Sequence, residues 1–329
     1  MVMIDKRQFE FYNINTEKNL RIDSVCSRPF DTLLIDKQGS CYACECTAWL
    51  PQSVGNIHLQ SMEEILGSAK RKHLQQSVSN GRYNYCNSKL CGYIKRGVMA
   101  CEARDTFNIR LAVDDSCNLS CPSCRPERIF VSRGSKLSKK KKWLDKIIDW
   151  IVSQSRHIRV TIGSDGDPFA SLIYRYFMTR MQMLKPHNVT FNLQTNGLLL
   201  SKMYHRHEYI FNNLEVLNIS VDGATRETYE KLRRGGSWTQ IQHNLRFISS
   251  RTRRYDVALH MVVQQSNWRE MLMMYKWHQH LAFNEMHFSL IQDWNTGANL
   301  DTQFTKEPEY KKAFEYLREQ DNVFFQGLS

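Results

Sequence analysis

Three cysteines on one short segment have the spacing of iron–sulfur cluster ligands. Cys117, Cys121 and Cys124 form a C-x3-C-x2-C pattern shortly after a predicted strand, Ile109–Val113. Three thiolates on such a loop can converge on three corners of a cubane cluster. The fourth iron then keeps an open coordination position, which distinguishes a metal that does chemistry from one that only stabilises a fold. The alternative is a structural zinc site with a distant fourth ligand.

The remaining cysteines all precede this triplet. The chain has 10 cysteines, and none follows Cys124. The others are Cys26, Cys41, Cys44, Cys46, Cys86, Cys91 and Cys101. In a chain without an export signal, such cysteines are metal ligands or redox groups more often than disulfides. This N-terminal region has little apolar periodicity, so we expect a small module stabilised by a metal.

The elements that must position the triplet alternate between strand and helix. The predicted strands are Ile109–Val113, Ile158–Ile162, Val189–Gln194, Leu217–Val221, Ala258–Val263 and Met286–Ile291. Six such alternations predict right-handed crossovers and a parallel sheet, and six units are fewer than the eight that close a full barrel. We therefore predict an α/β fold, a partial (β/α)6 TIM-like barrel preceded by a small cysteine-rich iron–sulfur module. Barrels of this kind carry their sites at the carboxyl ends of the strands, where the triplet lies.

Local signals set the expected boundaries of the domains and of several elements. The predicted domains are a module at 1–103, a barrel at 104–300 and a tail at 301–329 with one helix, Lys306–Glu319. A hairpin is expected to turn at Gln38-Gly39. Helix starts with a capping pair are expected at Ser61 with Glu64, at Ser237 with Gln240, and at Asn267 with Glu270.

The amino-acid composition limits the class of protein but does not identify a binding partner. The chain has 329 residues, 42% of them hydrophobic, which is enough for a real core. Its net charge of +12 suits a nucleic acid, an acidic peptide or an anionic cofactor. No stretch approaches the roughly 20 apolar residues of a membrane helix, and the N-terminus lacks the pattern of a signal peptide. We expect a soluble, cytoplasmic protein.

The segment Asn108–Arg125 resembles the first strand and cluster loop of radical S-adenosylmethionine (SAM) enzymes. In that family the three cysteines hold a [4Fe-4S] cluster, and SAM chelates the open iron through its amino and carboxylate groups. Later segments are similar to the family's SAM-binding motifs. The resemblance implies SAM contacts from Asp165, Gly166, Asp167, Asn196, Ser220, Arg233 and Val263.

Some of these residues depart from the family pattern or have a structural alternative. Ser123 stands where the family usually has an aromatic residue, and the Gly-Gly-Glu-Pro motif is matched only loosely around Asp167. Asp167 before Pro168 also fits a helix N-cap followed by proline. Ser220 also fits an ordinary strand-end hydroxyl, and Arg233 fits a solvated basic face.

The N-terminal cysteines resemble the SPASM or twitch extensions that hold auxiliary [4Fe-4S] clusters in many radical SAM enzymes. These extensions usually follow the barrel, whereas here the similar region precedes it. The resemblance implies one auxiliary cluster, with the ligands Cys26, Cys44, Cys86 and Cys91. Cys46 competes with Cys44, while Cys41 and Cys101 fit small buried hydrophobes. A structural zinc site remains the alternative for this module.

The resemblance implies reductive cleavage of SAM to a 5′-deoxyadenosyl radical, which abstracts hydrogen from a substrate. The expected substrate is a ribosomal peptide or protein that is cross-linked, epimerised or rearranged, and a flavodoxin or ferredoxin is the expected electron donor. Alternatives are modification of a small metabolite such as a sugar or amino acid, or, from another class, a zinc-stabilised nucleic-acid-binding protein. The chain lacks the basic–aromatic motif of nucleic-acid modules. The sequence identifies no catalytic acid, base or hydrogen donor.

Overall fold

The computed structural model describes residues 25–96, 105–131, 134–163, 165–292 and 300–328. These residues form two compact units. The first contains the described residues up to 114 together with 134–163 and 186–190, and the second contains 115–131, 165–185 and 191–328. None of the described helices combines the length and apolar character needed to cross a bilayer. Cys101 lies outside the described residues.

The first unit is built on a mixed sheet. Its strands are β1 (Thr32–Asp36), β2 (Ser40–Tyr42), β3 (Ser53–Asn56), β4 (Thr106–Ala112) and β5 (His157–Ile162). β1 pairs antiparallel with β2, and β2 with β3, whereas β1–β4 and β4–β5 are parallel. The predicted hairpin is present, and Gly39 occupies its turn with φ of +79°, a conformation that favours glycine.

Helices of the first unit pack near this sheet, and the described N-terminal cysteines lie outside these helices, in loops or on β2. The helices are α1 (Arg28–Asp31), α2 (Met62–Leu66), α3 (Ala69–Ser79), α4 (Gly92–Arg96) and α5 (Ser135–Ser153). The predicted capping box of Ser61 and Glu64 is confirmed at α2. That helix ends at Gly67, and Ser68 caps α3 as a separate helix.

The second unit contains a parallel sheet. Its strands are β6 (Val189–Thr195, paired from Phe191 onward), β7 (Leu214–Ser220), β8 (Asp256–Val263), β9 (Glu285–Leu290) and β10 (Val323–Gln326). Each pairs in parallel with the next along the chain. All six strands predicted from the sequence are present, as β4 to β9. The α/β class, with its parallel sheet and helical crossovers, is therefore confirmed, and β10 adds a strand from the C-terminal segment.

Helices and short 3-10 turns connect the strands of the second unit. The helices are α6 (Leu172–Leu184), α7 (Leu200–Tyr204), α8 (Glu208–Asn212), α9 (Arg226–Leu232), α10 (Trp238–Ser249), α11 (Met271–His280) and α12 (Pro308–Arg318). The 3-10 turns are His205–His207, Trp268–Glu270 and Gln303–Lys306. Ser237 caps α10 through the backbone N–H of Gln240, as predicted.

The capping pair predicted at Asn267 and Glu270 is wrong. The Asn267 side chain makes no helix cap, and its oxygen instead accepts a hydrogen bond from the backbone of Gln264 at 2.8 Å. Its amide nitrogen donates to the carbonyls of Asp222 and Val262. Asn267 therefore joins the ends of two neighbouring strands, because a side chain with donors and an acceptor can replace missing ladder contacts there.

The sheet of the second unit has two different faces. Side chains alternate along each strand, so residues in register share a face. Leu193, Leu217, Leu259 and Phe288 lie on a fully apolar face. The opposite face carries polar residues at many of the registered positions between them, together with Val216, Ala258 and Val262. This polar face leads to the carboxyl ends of the strands, where Ser220 lies.

Candidate metal centres and cofactor site

The three cysteines of the triplet lie together on a loop of the second unit. Backbone N–H groups of Cys124 and Arg125 both donate to the carbonyl of Cys121 at 2.9 Å, which closes a tight turn. Burial, assisted by the charges of Asp167 and Cys121, raises the pKa of Cys117 to about 11. Burial also raises the pKa of Cys121, with a contribution from Cys124. The thiols are therefore near enough to interact, and metal binding would replace their protons.

Each thiol of the triplet has a nitrogen donor near it. Arg125 places Nε and Nη2 at 3.4 and 3.3 Å from Cys124 Sγ. Arg233 places Nη1 at 4.0 Å from Cys121 Sγ, and Asn196 places its amide nitrogen at 3.6 Å from Cys117 Sγ. Cationic and amide N–H groups stabilise thiolates and cluster sulfurs. The donor set of three thiols, supported by N–H groups, fits an iron–sulfur cluster.

Asp167 is fully enclosed and joins the loop to the turn after β6. Its Oδ1 accepts from the backbone N–H groups of Phe169 and Ala170, and its Oδ2 accepts from Thr195 Oγ1 and the backbone N–H of Asn196. These four bonds use the acceptor capacity of the carboxylate. The helix N-cap considered for Asp167 is not observed, because α6 begins at Leu172 and is capped by Ser171. Asp167 instead closes the turn before that helix, and its side chain positions Asn196 beside Cys117.

The other residues of the loosely matched motif lie at the surface. Asp165 is exposed and Gly166 is half-buried. The carbonyl of Asp165 accepts a hydrogen bond from Arg125 Nη2. This contact connects the backbone of the segment to the cluster loop.

Ser220 and Arg233 lie at the carboxyl end of β7, on the polar side. Ser220 is buried and in register with His260. Arg233 Nε forms an ion pair with Asp222 Oδ2 at 2.9 Å, and the exposed fractions of the two side chains are only 11% and 1%. Arg233 is therefore not part of a solvated basic face. Asp222, which the sequence did not single out as a site residue, neutralises it.

Val263 is placed differently from the other predicted SAM contacts. Its side chain is completely buried and belongs with Met261 to the apolar face of the sheet. Its carbonyl accepts from the backbone N–H of Ile291 at 3.0 Å. The Val263 side chain is thus not brought to the cluster loop, because strand alternation turns it away and presents Val262 instead.

Four N-terminal cysteines line one cavity in the first unit. Cys26, Cys44, Cys86 and Cys91 surround about 370 Å³ of space, part of it open to solvent, with Trp49, Leu50, Val78 and Tyr83 among the lining residues. Burial raises the pKa of Cys44 to about 12, and the charges of Cys26 and Cys91 add to the effect. Burial raises the pKa of Cys86 as well, and the charges of Cys44, Cys26 and Cys91 add to that effect.

The other described N-terminal cysteines lie outside this cavity lining. Cys46 is half-buried, and its carbonyl accepts from the backbone of Trp49 and Leu50. Cys41 is completely buried, and its Sγ lies 3.6 Å from the carbonyl of Gly39. Four thiols around a largely apolar cavity are a soft donor set of the kind that iron–sulfur clusters take. Among the described residues, no three His, Cys, Asp or Glu side chains lie close enough to hold a single metal ion.

Polar contacts involve several residues that line this cavity. Arg28 Nη2 lies 3.2 Å from Glu45 Oε2, and Tyr93 donates from its hydroxyl to Glu45 Oε1 at 3.3 Å. The backbone N–H of Cys26 donates to the hydroxyl of Tyr83 at 3.0 Å. Tyr93 also packs edge-on against Trp49. Cys26 precedes all the described helices and strands. The hydrogen bond to Tyr83 therefore helps to position the Cys26 thiol beside the other three thiols.

Fold and thiol clusters together define an iron–sulfur protein of the α/β class. The family model of the radical SAM superfamily matches residues 113–278, which is more than half of the chain. The chain belongs to this superfamily. A model of the SPASM iron–sulfur cluster-binding domain matches residues 26–92, on the N-terminal side of the radical SAM domain. The protein is therefore a radical SAM superfamily enzyme, and its cofactors are SAM and [4Fe-4S] clusters.

Individual relatives match only part of their length. The chain is 27% identical over 184 residues to a GTP 3′,8-cyclase of Synechocystis, which covers 54% of this chain and 53% of that protein. The Streptococcus suis SuiB structure bound to its precursor peptide SuiA aligns with a TM-score of 0.49 at 10% identity, over 67% of this chain and 48% of SuiB. Native anSMEcpe with bound AdoMet aligns with a TM-score of 0.47 at 16% identity, over 65% and 60%. The chain thus spans about half the length of the first two of these.

Proposed function

We propose that the protein reductively cleaves SAM and abstracts a hydrogen atom from a peptide or protein substrate, which is then cross-linked, epimerised or rearranged. The observation that carries this proposal is the thiol triplet, in which each sulfur has its own N–H neighbour. When bound, the cluster and SAM supply a low-potential electron and a carbon radical. Cys117, Cys121 and Cys124 are the proposed ligands of this cluster.

The surrounding residues are proposed to shape the SAM pocket. Arg233, held by Asp222 beside Cys121, presents a cation that suits the SAM carboxylate. Ser220 supplies a hydroxyl at the neighbouring strand end. Asn196 is oriented by Asp167 and by its own bond to Asn118 Oδ1 at 2.9 Å. These groups bind and orient, and their fixed geometry limits the motion of a bound sulfonium relative to the cluster.

The first unit is proposed to hold one auxiliary [4Fe-4S] cluster. Its ligands are Cys26, Cys44, Cys86 and Cys91, since these four thiols line one cavity and Cys46 does not. Four cysteines would leave no iron open, so this cluster would transfer electrons or stabilise the module without binding SAM. A basic chain of net charge +12 also suits an anionic electron donor such as a flavodoxin or ferredoxin. Cytoplasmic location, where thiols stay reduced, is part of the proposal.

Metal analysis and SAM turnover test the proposal together. After anaerobic reconstitution we expect roughly eight irons per chain, from two cubanes. The reduced protein should convert SAM to 5′-deoxyadenosine, and Cys121→Ala should abolish this. Cys91→Ser should lower iron by about half and leave some SAM cleavage. Cys46→Ser is the matched control and should keep the full iron content.

Two outcomes would contradict the proposal. Colourless protein that binds zinc in place of iron and sulfide would support the nucleic-acid-binding alternative. Undiminished 5′-deoxyadenosine formation by Cys121→Ala would show that the triplet does not hold the reactive cluster. If Cys46→Ser and not Cys91→Ser loses iron, the auxiliary ligand set is wrong while the triplet assignment stands.

A second candidate substrate is an anionic small metabolite. Arg110 and Arg159 lie on one face of the first unit's sheet, since Asn108 pairs with Arg159 and Arg110 pairs with Thr161. Arg159 Nη1 donates to Asn108 Oδ1 at 3.1 Å. Two guanidinium groups on one face suit a carboxylate or phosphate. Competition by such anions in the turnover assay separates this candidate from a peptide.

A further inference from the structure

The polar face of the second unit's sheet contains a diagonal line of uncharged hydrogen-bonding side chains. We call this line the polar diagonal, and its members are Asn192, Asn218, His260 and Ser289. One member comes from each of the strands β6, β7, β8 and β9. Because residues in register on parallel strands share a face, the pairing of these strands shows how the four are related.

Each member lies two residues further along its strand than the direct partner of the previous one. Asn192 pairs with Val216, so Asn218 is two residues beyond that partner. Asn218 pairs with Ala258, so His260 is again two residues beyond. His260 pairs with His287, and Ser289 follows in the same way. The line therefore crosses four strands on one face without interruption.

Two members of the polar diagonal have a buried acceptor that nothing satisfies. Within the described part of the chain, the Oδ1 atoms of Asn192 and Asn218 are buried and accept no hydrogen bond. Their direct partners on β7 and β8, Val216 and Ala258, have no side-chain donor. Gln194, the partner of Asn218 on β6, has an amide donor but makes no hydrogen bond to Asn218 Oδ1. A buried polar atom without a partner destabilises the fold and calls for a water or a ligand to explain it. Two of them on adjacent strands point to one occupant.

The chemistry of the polar diagonal calls for a hydrogen-bond donor and disfavours an anion. The unsatisfied atoms are acceptors, so the occupant must supply N–H or O–H groups. His260 Nε2 bonds with Ser289 Oγ at 2.8 Å. Burial lowers the pKa of His260 to about 4, so this side chain is neutral near pH 7. The diagonal itself contains no cationic residue, and a phosphate or carboxylate brings only acceptors to it.

The spacing of the two acceptors matches an extended chain. Neighbouring strands lie about 4.8 Å apart and two residues along a strand span about 6.6 Å, so the two positions are about 8 Å apart. The N–H groups on one edge of an extended peptide recur every two residues, at about 6.6 to 7 Å. Asparagine side chains are long enough to absorb the difference.

We infer that the polar diagonal binds an extended peptide segment of the substrate, whose backbone N–H groups donate to Asn192 and Asn218. This inference rests on the proposed function, because it specifies the substrate class for the same protein. It also predicts that the two amides are present for binding and not for stability. Replacing them with apolar groups of similar shape should therefore leave the fold as stable or make it more stable.

The test compares Asn192→Leu/Asn218→Leu with the wild-type chain and with a control, Asn212→Leu. Asn212 is the last residue of α8 and is exposed. All three proteins are reconstituted anaerobically with iron, sulfide and SAM. The probe is N-acetyl-alanyl-alanine N-methylamide, an uncharged peptide with only amide groups, observed by saturation-transfer NMR. We expect at least a fivefold loss of its signal in the double variant, with an equal or higher melting temperature, and no loss in the control.

Four results would overturn the inference. The first two are that the wild-type chain gives no signal with the peptide probe, or that the double variant gives a signal as strong as that of the wild-type chain. The other two are that the double variant melts at a lower temperature while the control does not, or that glucose or inorganic phosphate, and not the peptide, gives a signal that the double variant loses. SAM cleavage by the wild-type chain is measured in the same samples. Absence of that cleavage contradicts the proposed function, while the binding and melting data still decide the role of the polar diagonal.

Discussion

Each cluster-loop sulfur is close to a nitrogen of a different kind. Cys124 has the guanidinium of Arg125, Cys121 has that of Arg233, and Cys117 has the amide of Asn196. Such neighbours stabilise negative charge on sulfur, and an added electron makes a cluster more negative. The side chains near the thiols should therefore influence how easily the cluster is reduced.

Replacing Arg125 with methionine should make the SAM-binding cluster harder to reduce. The change removes a cation at 3.3 Å from Cys124 Sγ and keeps most of the side-chain length. We expect the midpoint potential to fall by on the order of 50 mV, since a nearby charge acts through a partly screened site. A redox titration followed by electron paramagnetic resonance measures this shift.

Arg128→Met provides the matched control for that titration. Arg128 lies on the same loop, is exposed, and carries the same charge. Screening by solvent should leave the potential nearly unchanged in this variant. Equal shifts in the two variants would mean that only the net charge of the loop matters, and no shift in either would remove Arg125 from the sulfur environment.

At the residue scale, sequence reasoning succeeds where the signal is local. The spacing of the cysteine triplet is encoded within a few positions, whereas the dipeptide Asp167-Pro168 suggests a helix start that the structure places at Ser171. Arg125 adjoins Cys124 in the chain and could have been found by asking which charge follows the last thiol. Asp222 could not be recognised as the partner of Arg233, because that pairing depends on how α9 returns to the end of β7.

Among the elements, α9 is held at its start by a side chain from a distant segment. Glu270 Oε2 accepts from the backbone N–H groups of Ala224 and Thr225 at 2.6 and 3.2 Å, and its Oε1 accepts from Thr225 Oγ1 at 2.8 Å. A carboxylate at this end satisfies N–H groups and favours the helix dipole. Since Arg233 directly follows α9, Glu270 helps to position that guanidinium.

Glu270→Gln should destabilise the protein by about 1 to 3 kcal/mol. The reason is that one carboxylate oxygen becomes an NH2 group, which faces N–H or O–H donors and cannot accept their hydrogen bonds. The midpoint of urea unfolding measures this loss. Glu227→Gln is the control, since Glu227 lies in the first turn of the same helix and is exposed. The Glu227→Gln variant should lose only about 0.3 to 0.5 kcal/mol of unfolding free energy. Similar midpoints for both variants would contradict the positioning role of Glu270.

This element also shows why the predicted capping pair at Asn267 failed. The spacing of Asn267 and Glu270 satisfies the local rule, but both side chains bind groups some 40 residues earlier in the sequence. Periodicity and caps therefore located the six strands and the starts of α2 and α10, for which the determining contacts are local. Contacts between two different strand-to-strand connections form only after the sheet has assembled. They cannot be recognised from a short stretch of sequence.

At the scale of the whole molecule, several buried histidines stay neutral in a chain that already carries a high positive charge. The net charge is +12 with histidines neutral, so further protonation adds to self-repulsion. Burial lowers the pKa of His207 to about 4, with help from Arg206 and Arg175. Burial also lowers the pKa of His260 to about 4 and lowers that of His278. An unfolded chain would bind these protons near pH 6.5.

Stability should therefore decrease as pH falls from about 6.5 toward 4, because the unfolded chain binds more protons than the folded one in that range. His207 contributes to this slope, since neither of its ring nitrogens has a partner within the described residues. In His207→Gln the drop in unfolding free energy between pH 7.5 and 5.5 should be smaller than in the wild-type chain by about 1 kcal/mol. Urea midpoints across this range measure the difference. His205→Gln, an exposed neighbour on the same 3-10 turn, should keep the wild-type slope. If both variants keep that slope, His207 is protonated equally in the folded and unfolded chains, and the acid sensitivity must come from other buried groups.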